Sequence, residues 1–362
     1  MDKGNAILLA TRKGLFEFRR RATADWVAGP IDFIGDPVSM VLRDPRDGTS
    51  YAALNLGHFG VKLKRRRAGQ AAWKECAVPA FPKMSDAVDA PSVELIWELV
   101  AGGADEPGVL WAGTIPGGLF RSGDGGESWT LNQALWDRPE RSQWCGGGYD
   151  SPGIHSVCVD PRSSRHVTVG VSTGGVWQSF DGGESWALGG GGMNAGYLPA
   201  SRADDPGMQD VHRLVQCEAA PDILWVQHHC GMYRSTDGAA SWQEITMARP
   251  SNFGFAVAVH PRDPQTAWFV PAVRDNCRIP VDGRFVVTRT KDGGNSFEVL
   301  SEGLPQGPAY DLVYRHGLAI DGSGERLAMG STTGGFWISE NGGNSWQCIS
   351  VHLPPAYCLQ FG

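Results

Sequence analysis

A nine-residue pattern occurs five times in the chain, and no other feature restricts its folding as strongly. It reads RSGDGGESW at Arg121–Trp129, QSFDGGESW at Gln178–Trp186, RSTDGAASW at Arg234–Trp242, RTKDGGNSF at Arg289–Phe297 and ISENGGNSW at Ile338–Trp346, with copies spaced roughly 50–57 residues apart. A period of that length is the mark of one small supersecondary unit repeated. The pattern has a mechanical reading. Asp and Ser side chains hydrogen-bond the backbone of a tight turn. Gly supplies the positive φ that a Cβ would oppose. The closing Trp or Phe packs its ring on the hairpin just made. These residues are therefore expected to scaffold turns rather than touch ligand. Asn341 in place of Asp and Ala239 in place of the second Gly are departures a turn can absorb.

Upstream of each copy lies a common frame of strand, turn, strand, Gly-rich loop, strand. In one repeat these strands are Ile154–Asp160, Val167–Val171 and Gly175–Ser179, followed by Trp186. Runs of β-branched and apolar residues bounded by Gly, Pro and Asp read as strands, and four strands per repeat make a propeller blade. Two further blades lack a good copy of the motif. One runs from about Val38 to Trp73. The N-terminal one supplies only three strands, Ile7–Thr11, Leu15–Phe18 and one at Trp26, so its innermost strand is expected from Ala356–Phe361. That pairing leaves no exposed sheet edge. The expectation is an all-β, seven-bladed β-propeller, a single domain over residues 1–362, closed by the C-terminal strand completing the N-terminal blade.

The formal net charge of −7 does not favour a nucleic-acid partner. The one basic run, Lys62 with Lys64 to Arg67, reads as a solvated turn or as an anion or partner patch. No apolar stretch reaches the roughly 18–20 residues of a membrane span, and Met1 to Ala10 makes a poor signal peptide. The eight cysteines form no CxxC pair and no compact framework, which suits reduced thiols in the cytoplasm.

The nine-residue motif resembles the BNR or Asp-box repeat of sialidases, sortilin-type propellers and xyloglucan-active glycosidases. Over nearly the whole chain the sequence looks closer still to bacterial propellers described as glycosyl hydrolase with BNR repeats, as sialidase-like, or as related to a photosystem II assembly factor. The residues carrying that resemblance are Gly153–Ser156, Val211–His212, Gln227–Gly231, Phe253–Phe255, Val281–Gly283 ahead of Phe285–Arg289, Gly303–Gln306 and Leu353–Pro355. It is specific for a family and weak for an activity, because fold does not carry function. True sialidase activity is not expected. A sialidase takes its first substrate-binding arginine from an RIP motif in the opening blade, whereas here Arg278-Ile279-Pro280 falls in a connecting loop of the sixth. The N-terminal blade offers only Arg12, followed by Lys13.

Ligands of propellers usually sit over the axis, on the face opposite the repeat turns. Two long links, Leu131–His155 and Leu188–His212, are candidate walls there, with Trp136, Trp144, Tyr149 and Tyr197. Matching the innermost strands on their last position puts Asp44, Asp160, Cys217, His260 and Asp321 in one register. Ser39, His155, His212, Phe255 and His316 then share a second register five residues earlier. His155, His212 and His316 are thereby expected at one height around the channel, with His228, His229 and His58 near the same face. Such imidazoles line a water-filled channel, shuttle protons, or bind a divalent transition metal. The acids to complete such a site are Asp150, Asp210, Glu94 and Asp275. Arg274, Asp275, Arg278 and Arg284 surround one loop and either hold an anion or pair with one another. Cys145 and Cys230 read as inert thiols. Two functions stay open. One is a hydrolase-type enzyme for a carbohydrate or other small polar molecule, with His155, His212, His229, His316 and Asp150 as catalytic candidates and His58, His228, Arg274, Asp275, Tyr149 and Tyr310 as ligand-binding ones. The other is a non-catalytic binding or assembly scaffold with a protein partner.

Overall fold

The computed structural model describes residues 4–23, 25–82 and 91–362. It forms seven four-stranded antiparallel sheets arranged as the blades of a propeller. The innermost strand of blade one is Ala356–Phe361, paired antiparallel with Ala6–Thr11 so that Leu9 faces Leu359 and Ile7 faces Phe361. The innermost strands of blades two to seven are Val38–Arg43, Leu95–Ala101, Ile154–Val159, Val211–Gln216, Gly254–Val259 and Leu318–Ile320.

The repeat motif does what its composition predicts. In blade three, Asp124 Oδ1 accepts from the Ser128 N–H at 2.9 Å and Asp124 Oδ2 accepts from the Ser128 hydroxyl at 2.6 Å, while Ser122 Oγ takes the Gly126 N–H. The same bonds recur around Asp181, Asp237 and Asp292, and around Asn341 the backbone bond is kept while the amide Nδ2 donates to the Ser345 hydroxyl. The two central residues of each turn have positive φ, and Ala239 at +68° adopts this where its counterparts are Gly. The glycines also permit close approach between blades. The Gly125 carbonyl accepts from the Tyr51 hydroxyl of the preceding blade, and the Gly342 carbonyl accepts from Trp268 Nε1. A Cβ on Gly183 would stand 3.1 Å from the Trp111 ring. The turns of blades three, four and seven are thus docked on an aromatic residue one blade back, whereas the Gly238 carbonyl of blade five accepts from Gln178 and Gly294 of blade six rests against Ile245.

The innermost strands share two features that position the channel. At the foot, the N–H of Asp44, Gly102, Asp160, Cys217, His260 or Asp321 bonds the carbonyl that opens the next strand at 2.8–3.0 Å. Five residues earlier, β-bulges interrupt the pairing in blades two to six, leaving Ser39, Trp97, His155, His212 and Phe255 without a partner across the ladder. A bulge re-aims one side chain per strand, and repeating it at one height builds a ring of re-aimed residues near the top of the channel.

The basic run is a correction. Val61–Arg66 is the third strand of blade two rather than a turn. Its charges are paired on both sides: Lys62 and Lys64 with Glu75, Arg65 with Glu127, and Arg66 with Asp32. A strand places successive side chains on opposite faces, so a charged run survives where both faces meet acids or water.

Candidate ligand pocket and histidine cluster

Three groups of polar residues sit at the upper end of the ring. The first closes the channel. Arg213 Nη1 donates to Glu98 Oε2 at 2.5 Å and to the His155 carbonyl at 2.6 Å, and lies 2.7 Å from His316 Nε2. Residues from blades three, five and seven thus meet across the axis. Burial opposes charge on Glu98, but Arg213 and His316 overcome it and hold the carboxyl down to about 2. Burial and Arg213 lower the pKa of His316, whose Nε2 also faces the His155 carbonyl at 2.9 Å and Glu98 Oε2 at 3.3 Å. Below this cross-link is a cavity of about 610 Å³ and above it one of about 790 Å³; His316 lines both.

The second group is the upper pocket. Of the ring of re-aimed residues, Ser39, Trp97 and Phe255 line it, joined by Arg12, Asp36, Gly147, Tyr149, Arg278, Tyr314, Arg315, His316 and Tyr357. Arg315 is its central cation. The residue is 6% exposed and its guanidinium lies 4.6 Å above the Trp97 ring and 5.6 Å from that of Phe255. One Nη donates to the Gly147 carbonyl, and Nε is buried without a partner. Among the described residues no carboxylate is within ion-pairing distance of it. Burial lowers its pKa to about 10, which leaves it charged at neutral pH. Arg278 reaches the same pocket from its loop, tied to Asp275 at 2.5 Å.

The third group, beside blade five, brings Asp210, His212 and His229 together. Strand pairing sets Val211 opposite His228, and the His229 N–H bonds the Asp210 carbonyl at 2.9 Å. His229 Nδ1 lies 3.3 Å from Asp210 Oδ2, and Asp210 raises its pKa. His229 also lines a rim cavity of about 400 Å³ with Asn252, Arg274 and Asp275.

The candidate residues therefore separate. His316 and Tyr149 line the upper pocket, whereas His229, Arg274 and Asp275 line the rim cavity. His155 and His212 hold the position five residues before the strand foot that His316 holds in blade seven, but turn into the seams between blades. His155 Nε2 donates to the Val211 carbonyl of blade five at 2.6 Å, and His212 Nδ1 donates to the Gly254 carbonyl of blade six at 2.7 Å. The three imidazoles thus do not meet at one point, and a metal shared among them has no geometric basis. His228 is buried in its strand, its Nδ1 accepting from the Cys230 N–H. His58, Asp150 and Tyr310 are exposed and line none of these three cavities.

Glu98, Arg213, Arg315 and Trp97 were not reached from sequence. The signal for Glu98 and Arg213 was a single charge inside an apolar innermost strand, LIWELVA and VHRLVQ, each one residue after the bulge. Blade three escaped the register match because Gly102 stands where other blades carry Asp, Cys or His.

The buried histidines make stability depend on pH. Burial first, then nearby Arg315, keeps the pKa of His155 well below its ordinary value. The unfolded chain takes up that proton near 6.5, whereas the folded chain does not. The stability is therefore complete above about 6.5 and declines as pH falls below it, by up to about 2 kcal/mol for this residue at pH 5. Tm is expected to drop between pH 7.5 and 5, and His155→Gln should flatten that slope. An equal slope in the variant would remove His155 from the account.

No family model matches the chain. It is 26% identical, over 247 residues, to an oligoxyloglucan-reducing end-specific xyloglucanase of Emericella nidulans, a match covering 63% of this chain and 27% of that protein. The chain thus spans about a quarter of the length of that curated relative. Among solved structures, an ancestral GH74 enzyme superposes with a TM-score of 0.57 at 16% identity, covering 86% of this chain and 38% of that one. YCF48 bound to D1 peptide superposes with a TM-score of 0.53 at 14% identity, covering 89% and 85%. The structural likenesses are likenesses of fold. Together they bear out the β-propeller fold.

Proposed function

We propose that this propeller binds a carbohydrate bearing an acidic group in its upper pocket. The observation that carries this reading is Arg315, a buried guanidinium with no carboxylate partner among the described residues, laid on Trp97 at the floor of a cavity of about 790 Å³. A buried charge without a partner is costly, and a ligand carboxylate supplies the two acceptors that a guanidinium fork matches. Trp97, Tyr149, Tyr314 and Tyr357 offer flat apolar faces beside it, the surface a sugar ring packs on. The sequence match to a xyloglucanase and the Asp-box likeness point to carbohydrate as the class.

Binding is favoured over hydrolysis by the two-carboxylate route. That route needs a pair of carboxyl groups about 5–9.5 Å apart flanking the bond. Asp36 is the one acid among the described lining residues, and Glu98 is committed to Arg213 beneath the floor. Titration calorimetry with oligosaccharides containing uronic acid, against their neutral counterparts, tests the reading. The acidic series should bind, with affinity falling as salt rises. Arg315→Met should lose roughly 2–4 kcal/mol, about 30- to 1,000-fold in Kd. Equal affinity for the neutral series, or a Met variant that binds normally, would defeat the assignment of Arg315.

A further inference from the structure

We infer that Asp210, His212 and His229 form a binding site for a divalent transition metal beside the upper pocket, an inference that does not rest on what binds in that pocket. One ligand atom from each residue lies within 4.8 Å of the others. Ligands sharing one ion at bonds of about 2.0–2.2 Å stand roughly 3–4 Å apart, so the set must contract by no more than about 1–2 Å.

The hydrogen bonding around the cluster singles out its open atoms. A carbonyl oxygen can only accept, so the His212 Nδ1 bonded to the Gly254 carbonyl carries the ring proton. In the neutral ring, Nε2 is then a bare lone pair. It faces Asp210 Oδ1 at 3.9 Å. That oxygen is buried and has no hydrogen-bond partner, in a residue only 6% exposed. Two electron-rich atoms are thus aimed at one another with no proton between them, and a cation at that point satisfies both. His229 Nδ1 stands 3.3 Å from the other carboxylate oxygen and completes a two-histidine, one-carboxylate donor set.

The surroundings resemble those a metal ligand needs. A ligating imidazole characteristically donates its second nitrogen to a backbone carbonyl or carboxylate, which fixes the tautomer and the ring. His212 does so, and its ring is further held against Phe255, stacked at 4.4 Å. Asp210 and His229 are fastened to each other through the backbone bond between their strands. The site is therefore assembled before any ion arrives. His229 opens onto the rim cavity, which gives the ion a route of entry and leaves room for water or a ligand group as a further donor. Imidazole nitrogen with carboxylate oxygen suits Zn²⁺, Fe²⁺, Co²⁺ or Ni²⁺ over Mg²⁺ and Ca²⁺.

The experiment uses the full chain, stripped with chelator and titrated with Zn²⁺ alone. One equivalent should bind and raise Tm, and Co²⁺ should give a d–d absorption spectrum of a nitrogen- and oxygen-ligated ion. His229→Ala, at a partly exposed position outside the strands, and Asp210→Asn, which keeps the side-chain shape, should each weaken Zn²⁺ binding at least about a hundredfold, since even outer-shell losses cost 10- to 100-fold. Cys230→Ser and Cys145→Ser should leave it unchanged. Absence of stoichiometric Zn²⁺ binding by the wild-type chain overturns the inference. Binding that persists in both Asp210→Asn and His229→Ala, or that disappears with the cysteines, also overturns it.

Discussion

A chain that stops at Pro355 should not accumulate as a folded, soluble protein. The strand Ala356–Phe361 is the innermost of blade one, so its loss uncovers the hydrogen-bonding edge of Ala6–Thr11 along its whole length. Ile7, Leu8, Leu9 and Ala10 are almost wholly buried and would face water. The segment also ties blade one to both neighbours. The Leu359 N–H bonds the His316 carbonyl of blade seven, and Gln360 Oε1 accepts from the Arg43 N–H of blade two at 2.6 Å. Removing it opens the ring at the one seam where the two ends of the chain meet. Uncovered apolar strand edges template aggregation, so the expected readouts are loss of soluble yield and absence of a cooperative melting transition. A truncated protein with an unchanged Tm would show that the ring does not depend on this closure.

Glu98→Ala should destabilise the chain by roughly 3–5 kcal/mol, because it leaves Arg213 as an unpaired charge on the channel axis. Glu98→Met combined with Arg213→Met should recover most of that loss, since it removes the charge along with its partner. The two together separate an uncompensated ion from a lost attraction; chemical denaturation measures both. The pH dependence follows the same pair. The folded carboxyl titrates near 2, below the value of about 4.3 for the unfolded chain. The stabilisation is therefore present in full above about 4.3 and is lost as pH falls toward 2. A single variant as stable as the wild type would mean that water already solvates Arg213.

The fold was legible because the repeat motif encodes backbone demands, and those do not depend on what packs around them. Asp124 and its counterparts, with the glycines after them, specify a turn wherever they occur, and five such turns at one spacing reveal the repeating blade. The channel was legible in height but not in direction. Matching strand ends put His155, His212 and His316 at the right level, and the shared foot of each inner strand explains why. The bulge at that level decides where each side chain points, and a bulge leaves no mark in residue type: Ser39, Trp97, His155, His212 and Phe255 all occupy it. Glu98 and Arg213 were visible as isolated charges but meaningful only once blades three and five were known to meet across the axis. Asp210 and His229 came together through strand pairing, which no spacing along the chain discloses.

The cross-link of Glu98, Arg213 and His316 makes the molecule a pair of cups joined base to base rather than a tube. Whatever enters the upper cup cannot leave through its base and must depart on the side it came from, past walls that include Gly147, Tyr149 and Arg278. The lower cup, walled by the feet of the inner strands, is free to diverge in shape and polarity without altering what the upper one admits. Among the described residues His316 alone lines both, so that imidazole and the arginine that holds it are the direct path by which a change beneath the partition is felt above it.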